Sequence, residues 1–190
     1  MSWVQHKSQY QKLAWAVDPS VVLTTKDSWF WKVLAAVYSA VTFQFSTGYH
    51  SFLRNYATTL GPVQAYPAYW PRLDGPLLIH EATHTRDARW CGFGIHPWVG
   101  LPVYALLYLL FVLPLGFAVA RWRFEIRAEK KAYVWALNHG YSESWVRSRA
   151  KSFGQKVCGA DYGWSWLFGG VQGFINAGEA AIREVARGGR

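Results

Sequence analysis

The residues with the clearest chemical potential lie at positions 80–84, which read His-Glu-Ala-Thr-His and follow an apolar run at 77–79. On a helix, His80 and His84 share one face because they are four residues apart. Two neutral imidazoles placed in this way can bind one zinc ion. Glu81 follows the first histidine directly, so its carboxylate can reach a metal-bound water without being a ligand. The motif therefore predicts a zinc site with Glu81 as general base; the alternative is a pair of structural core histidines.

A catalytic zinc ion takes three protein ligands and keeps one position open. Glu125 and Glu129 lie four residues apart in a later segment and would face the same way on a helix. We predict that Glu129 is the third ligand, because the small residue Ala132 follows it by three positions and lets the two helices pack closely. Glu125 is the second candidate. The alternative is an ordinary surface glutamate in i,i+4 contact with basic neighbours.

One further acidic side chain accompanies the motif. Asp87 lies three residues after His84 and would share its helical face. It is predicted either to orient a ligand imidazole or to pair with Arg86 or Arg89 at the surface, and the sequence leaves both interpretations open.

Composition limits the classes of partner. Hydrophobic residues make up 52% of the chain and aromatic residues 18%, so either the core is heavily aromatic or part of the surface contacts something other than water. The formal charge of +9 is compatible with an anionic neighbour, but the basic residues are dispersed, and we expect no specific nucleic-acid partner. The two cysteines, Cys91 and Cys158, are expected to be reduced thiols.

The length of 190 residues predicts one domain over 1–190. The first seven residues, Met-Ser-Trp-Val-Gln-His-Lys, lack the basic-then-apolar order of a secretory signal. We therefore expect a cytoplasmic or membrane-associated protein, and a component of a phage particle is one form that this expectation includes.

The elements before the motif are predicted from periodicity and from turn residues. They are an N-terminal arm or short helix over 1–20, a strand over 21–25, a buried helix from Asp27 or Ser28 to about Phe43, and two strands over 52–66 separated by Gly61-Pro62. The motif helix is predicted to end at Gly92–Gly94. The C-terminal region, 142–190, is predicted to be helical, with Ser142 as a cap and a last short helix over 176–186 after interrupting glycines.

Residues 101–120 contain no charge and are numerous enough to cross a hydrocarbon core of about 30 Å. A single crossing, however, would leave the third ligand on the opposite side of the membrane from the histidines. Pro114 and Gly116 supply a break, so the segment is predicted to be an apolar helical hairpin. Burial in the domain, insertion into one membrane leaflet and contact with a large protein assembly all remain open.

On the residues His80, Glu81, His84 and Glu129, with Ala132 following, the chain resembles the gluzincin-type zinc metallopeptidases. That group carries H-E-x-x-H on one helix and a ligand glutamate, often within E-x-x-A-D, on a later one. Tyr133 stands where the group often has aspartate. The resemblance covers roughly residues 50–140 and extends to small uncharacterised HExxH proteins of bacteria and phages.

The resemblance implies an α+β, predominantly helical, minimal zincin-like domain. A short strand or hairpin would precede the motif helix, and the apolar hairpin would separate the two metal-ligand helices. It implies hydrolysis of peptide bonds in a peptide or protein substrate, with Tyr133, Tyr69 or His96 as the donor to the developing oxyanion. Two alternatives are a non-catalytic structural or assembly protein that retains the fold, and a basic module that binds membrane surfaces or nucleic acid.

Overall fold

The computed structural model of the chain describes residues 2–41, 47–109, 118–157 and 170–188. Within these ranges the chain forms a short 3-10 helix (Trp3–His6), eight α-helices and one three-stranded sheet. The helices are α1 (Lys7–Trp15), α2 (Trp29–Val41), α3 (Thr47–Arg54), α4 (Gly75–Cys91), α5 (Pro97–Leu109), α6 (Ala118–Asn138), α7 (Glu143–Val157) and α8 (Gly170–Gly188). The strands are β1 (Val22–Thr25), β2 (Thr58–Leu60) and β3 (Val63–Tyr66). The α+β, predominantly helical fold class is confirmed.

The sheet has the order β1-β3-β2. β1 runs parallel to β3 with Leu23 opposite Gln64, and β2 runs antiparallel to β3 with Thr59 opposite the same glutamine. Gly61 has a φ of 57°, a left-handed conformation that glycine adopts without a steric penalty, so the predicted Gly61-Pro62 break is a tight turn. β3 is therefore the central strand, and β2 forms the edge that lies against α4.

The prediction of a strand beginning at residue 52 is wrong. Residues 52–54 end α3, and the strand begins only at Thr58. Phe52 and Leu53 pack with Trp31 of α2 and Ala65 of β3, which is a contact made by one face of a helix. Because short apolar runs carry no clear period, the sequence does not distinguish this helix turn from a strand.

The prediction for the last helix is also wrong in its start. α8 begins at Gly170, and Gly173 lies inside it instead of interrupting it. A Cβ atom at Gly173 would lie 2.3 Å from the Trp122 ring of α6, so the glycine permits the close packing of these two helices. The predicted cap before α7 is confirmed, since the Ser142 hydroxyl accepts the Trp145 N–H at 3.1 Å.

The predicted apolar hairpin over 101–120 is described only at its two ends. The first helix begins at Pro97, earlier than expected, and α6 begins at Ala118. The predicted turn around Pro114 lies outside the described residues. Among the described helices, none combines the length and the apolar character that a membrane crossing needs.

α4 lies at the centre of the packing and contacts α1, α5 and α6 as well as β2 and β3. Its N-terminal half joins a core in which Leu78 and Ala82 pack with Trp3, Leu23 and Tyr66. Its C-terminal half joins a second cluster that includes residues of α5 and α6. The motif helix is therefore held on several sides by protein contacts that do not involve a metal ion.

An ion pair fixes the C-terminal end of α4 to the N-terminal region. Arg89 donates from Nε to Asp18 Oδ2 at 2.8 Å and from Nη2 to Asp18 Oδ1 at 2.7 Å. Burial opposes ionisation of Asp18, but the bonds from Arg89 and Ser20 outweigh it and lower the pKa of this carboxyl below its usual value. This two-point pairing makes Arg89 a structural partner of Asp18 and not of Asp87.

α5 approaches α4 at a distance that only glycine allows. A Cβ atom at Gly100 would lie 1.7 Å from the carbonyl oxygen of Ala88 and 2.4 Å from the backbone N of Gly92. Both obstacles are backbone atoms, so they cannot rotate away as a side chain would.

Gly100→Ala is therefore expected to force α5 away from the motif helix and to destabilise the fold by at least about 1–3 kcal/mol, the usual effect of overpacking. Urea unfolding followed by tryptophan fluorescence measures this change. Gly188→Ala is the matched control, because a Cβ there meets nothing within 4 Å. Equal unfolding free energies for the two variants would contradict the close approach.

Lys26 connects β1 to the edge strand. Its buried Nζ donates to the Phe52 carbonyl at 2.7 Å and to the Thr58 hydroxyl at 2.6 Å, and it lies 4.0 Å from the Phe52 ring centroid. Burial lowers the pKa of Lys26 to about 7, although the negative charge of Glu81 opposes that shift. β2 is thus tied to its neighbours by an amine that loses its proton far more easily than an exposed lysine.

This shift predicts a pH-dependent difference in stability between the wild type and Lys26→Met. Between pH 7 and 10.5 the unfolded chain holds a proton at Lys26 that the folded chain has released. Stability therefore rises with pH in the wild type relative to the variant, by at most about 1.4 kcal/mol per pH unit. Urea unfolding at a series of pH values measures the difference, and a constant difference across this window would contradict the prediction.

Candidate metal centre

Two facing helices bring the predicted ligands together. α4 carries His80 and His84, and their Nε2 atoms lie 3.0 Å apart. α6 carries Glu125, whose Oε2 lies 3.3 Å from His80 Nε2 and 3.8 Å from His84 Nε2. All three residues are buried, with exposed fractions of 4%, 5% and 2% for His80, His84 and Glu125. They form a compact group of two nitrogens and one oxygen.

The spacing of these atoms suits a small ion. A tetrahedral metal with bonds of roughly 2.0–2.1 Å keeps its ligand atoms about 3.3 Å apart. The three observed separations, 3.0, 3.3 and 3.8 Å, lie around that value. The buried group His80, His84 and Glu125 could therefore hold a metal ion.

Glu129, the third ligand predicted from the sequence, contacts the other nitrogen of the first histidine. Its Oε1 lies 2.9 Å from His80 Nδ1. The same carboxylate accepts from Arg149 of α7, at 3.2 Å from Nη2 and 3.3 Å from Nε. A carboxylate at Nδ1 orients the ring and leaves Nε2 available for a metal. The geometry thus favours Glu125 as the ligand and Glu129 as the group that orients His80.

The contacts of His80 with Glu125 and Glu129 shift the pKa values of all three groups. Burial alone would lower the pKa of His80, but its contacts with Glu125 and Glu129 outweigh burial and raise it to about 10. Burial would raise the pKa of Glu129, yet His80 and Arg149 hold it at about 2, and the two histidines lower the pKa of Glu125 in the same way. In the metal-free chain the charges of protonated His80 and of Arg149 together balance the two carboxylates, and a metal ion has to displace the proton from His80.

Glu81 belongs to the same helix but contacts the sheet. Its Oε2 accepts the hydroxyl of Thr59 at 2.6 Å, and Thr59 lies on the edge strand β2. Glu81 is 8% exposed, slightly more than the ligand group. The candidate base is therefore held by one strong hydrogen bond at the boundary between α4 and the edge strand.

The three candidate oxyanion donors occupy different places. Tyr133 is fully buried in a cluster with Val146 and Ala181, and burial, together with the nearby Glu129, raises its pKa well above the usual value. Tyr69 is exposed and donates to the carbonyl of Arg54. His96 accepts the Trp98 N–H at the start of α5. The structure thus brings Tyr133 to the carboxylate that orients His80, and an oxyanion role for any of the three stays a prediction.

Asp87 pairs with a residue that the sequence did not suggest. Its Oδ1 lies 2.9 Å from Arg127 Nη2 of α6, and it pairs in this way instead of with Arg86 or Arg89. Burial raises the pKa of Asp87, and the charges of His84 and Arg127 only partly offset that effect. The pair adds a second ionic connection between the two helices of the site.

Sequence reasoning missed four neighbours of the site. Two are polar: Thr59 binds Glu81, and Arg149 binds Glu129. Two are aromatic: Phe153 lies 5.5 Å from the His80 ring and Tyr104 lies 6.3 Å from the His84 ring, measured between centroids. None of the four lies at a fixed spacing from the motif, so no local signal points to them.

The sequence matches no protein-family model, and the chain has no match among curated proteins or solved structures.

Substitutions distinguish the two glutamates. His84→Ala and Glu125→Gln are expected to lose the bound divalent metal, whereas Glu129→Gln keeps it with an affinity lowered by about 10- to 100-fold, the usual effect of removing a partner of a ligand histidine. Elemental analysis gives the metal content, and competition with a chromophoric chelator gives the affinity.

Glu184→Gln is the matched control, because Glu184 pairs with Lys130 at the surface at 2.7 Å. If Glu129→Gln loses the metal and Glu125→Gln keeps it, the assignment from the geometry is wrong and the one from the sequence is right.

Proposed function

We propose that the chain is a zinc-dependent, metallopeptidase-like hydrolase that cleaves peptide bonds in a peptide or protein substrate. The observation that carries this proposal is the compact group of His80, His84 and Glu125, with Glu81 directly beside the first histidine on the same helix. A motif of this kind on an isolated helix would prove little. Here a second helix supplies the carboxylate that completes a three-ligand site.

Zinc is the metal that the donor set favours. Two imidazole nitrogens and one carboxylate oxygen are ligands that zinc accepts in tetrahedral sites, and three protein ligands leave one position for water. Magnesium and calcium prefer sites made entirely of oxygen, so they suit this set less well. When bound, the ion would supply an activated water near neutral pH and polarise the scissile carbonyl.

In the proposed reaction, a protein side chain would transfer the proton of the attacking water. Glu81 would accept a proton from the attacking water and then pass it to the leaving amine. Its bond from Thr59 holds the carboxylate in one orientation, and Thr59 itself lies on a strand that is paired with β3. Glu129 and Arg149 hold the ring of His80, so the ligand set keeps its geometry without help from substrate.

The position of Tyr133 suits a role in supporting Glu129 better than a role in contacting a substrate. Its side chain has no exposed surface and is enclosed by α7 and α8. The donor to the oxyanion in this proposal is therefore left unassigned.

The edge strand gives the substrate a path to the site. Within the described part of the chain, β2 pairs with β3 alone, and its residue Thr59 contacts Glu81. An extended peptide that pairs with the open side of β2 would run past the candidate base. This arrangement, a short strand beside the motif helix, supports the minimal zincin-like interpretation of the fold.

A structural metal site is the second candidate. The observation that favours it is the burial of the ligand group, since His80, His84 and Glu125 are each at most 5% exposed. In that case the chain would be a non-catalytic component of a phage particle or membrane complex, and the metal would only join α4 to α6.

Glu81→Gln separates the two candidates. The variant keeps the shape of the side chain but cannot accept a proton, so it is expected to bind zinc normally and to lose about 10²- to 10⁴-fold in hydrolysis rate. Casein and a mixture of fluorogenic peptides serve as substrates, with zinc content measured on the same samples. Glu184→Gln again is the control with unchanged activity.

Full activity in Glu81→Gln would overturn the proposed mechanism. Stoichiometric zinc with no hydrolysis of any substrate by the wild type would instead support the structural role.

A further inference from the structure

The surface that follows the motif helix is apolar throughout. From Trp90 to Leu106, every exposed side chain is apolar. The apolar surface consists of Trp90, Phe93, Ile95, Trp98, Val103 and Leu106. Soluble surfaces carry single apolar residues, but a continuous run of this kind marks a contact with something other than water.

The loop between α4 and α5 exposes the most prominent member. Phe93 is 93% exposed and has a φ of 57°, a left-handed conformation that side chains other than glycine and asparagine rarely adopt. Hydrogen bonds fix the loop, with Phe93 N–H donating to the Trp90 carbonyl at 3.1 Å and Gly94 N–H to the Arg89 carbonyl at 3.0 Å. A large ring is thus held outward at the tip of an ordered turn, where the described residues leave it almost fully exposed.

α5 continues the same surface. Its 13 residues, PWVGLPVYALLYL, include no charged side chain. Trp98, Pro102, Val103 and Leu106 are exposed at helical spacing, whereas Tyr104 is buried toward Ala88 and Phe124. The described part of the helix, Pro97–Leu109, is about 20 Å long at 1.5 Å per residue. A helix with one apolar outer face suits the plane of an interface.

The exposed charges between residues 75 and 128 have one sign. The acidic residues Glu81, Asp87 and Glu125 in this range are buried. Arg86 and Arg123 are exposed, whereas Arg89 and Arg127 pair with Asp18 and Asp87. Arg86 precedes Trp90 by four residues on α4, so a cation and a ring share one side of that helix.

We propose that the apolar surface docks on an anionic lipid bilayer, with Phe93 and the outer face of α5 in the acyl boundary and Arg86 and Arg123 at the headgroups. Proteins bind anionic lipid surfaces through exposed aromatic rings and through neighbouring cations. Because the surface begins on α4 itself, docking would place the metal centre next to the membrane. The inference goes beyond the proposed function and does not depend on it.

The test is sedimentation of the full chain with vesicles of phosphatidylcholine, with and without phosphatidylglycerol, at low and high salt. The wild type is expected to sediment with the anionic vesicles and to be released in part by salt. Phe93→Ser and Val103→Asp are expected to weaken this binding about tenfold or more, since each removes apolar contact or places a charge in the acyl boundary.

Both altered residues are largely exposed, so circular dichroism and metal content should not change. Val4→Asp is the matched control, because Val4 is exposed to a similar extent, 42% against 48% for Val103, on a different element. Its binding should equal that of the wild type.

Three results would overturn the proposal. The first is a wild type that stays in the supernatant with all vesicles, and the second is binding that Phe93→Ser and Val103→Asp leave unchanged. The third is a dimer, seen by light scattering without lipid, that Val103→Asp dissociates; in that case a second copy of the chain covers the surface.

Discussion

The fold depends on the compensation of buried charge between α4 and α6. Burying an ionised group costs several kcal/mol unless a partner and hydrogen bonds replace its hydration. Here His80 is placed between Glu125 and Glu129, and Arg149 takes the remaining charge of Glu129. No member can move alone without leaving another unpaired, so α4, α6 and α7 have to keep one relative position. The small contact residues, among them Gly100 and Gly173, let the neighbouring helices follow that position.

The same compensation explains how the site can be ready for a metal. Protonated His80 contacts both carboxylates, and a metal ion bound at its Nε2 would have to displace a proton. Glu81 stays outside this network, because its hydrogen bond comes from Thr59 of the sheet. The candidate metal ligands and Glu81 are thus held by two different parts of the fold, the helical layer and the edge strand.

Local spacing predicts part of this arrangement, and long-range packing decides the rest. The i,i+4 histidines, the helix that carries them and the later helix with two glutamates follow from periodicity alone. Periodicity does not distinguish the roles of Glu125 and Glu129. The role of Glu129 depends on its contact with Arg149 of α7, and the sequence around Arg149 contains other basic residues that look equivalent. Likewise the sequence predicts that Gly173 interrupts a helix, whereas in the structure this glycine makes room for the Trp122 ring. Composition does not tell whether the many aromatic side chains lie in the core or at the surface. The structure shows aromatic residues in both places, with Trp3 buried and Trp90 exposed.

The pairing of Asp18 with Arg89 has a consequence for synthesis. The partners are 71 residues apart, and Leu78, one of the apolar partners of Trp3 in the core, is still farther from it along the chain. At ribosomal rates the N-terminal segment would wait roughly 4–14 s for α4 to be made, with its apolar side chains uncovered. During that interval the uncovered apolar side chains are open to contacts with other molecules, until α4 is made and covers them.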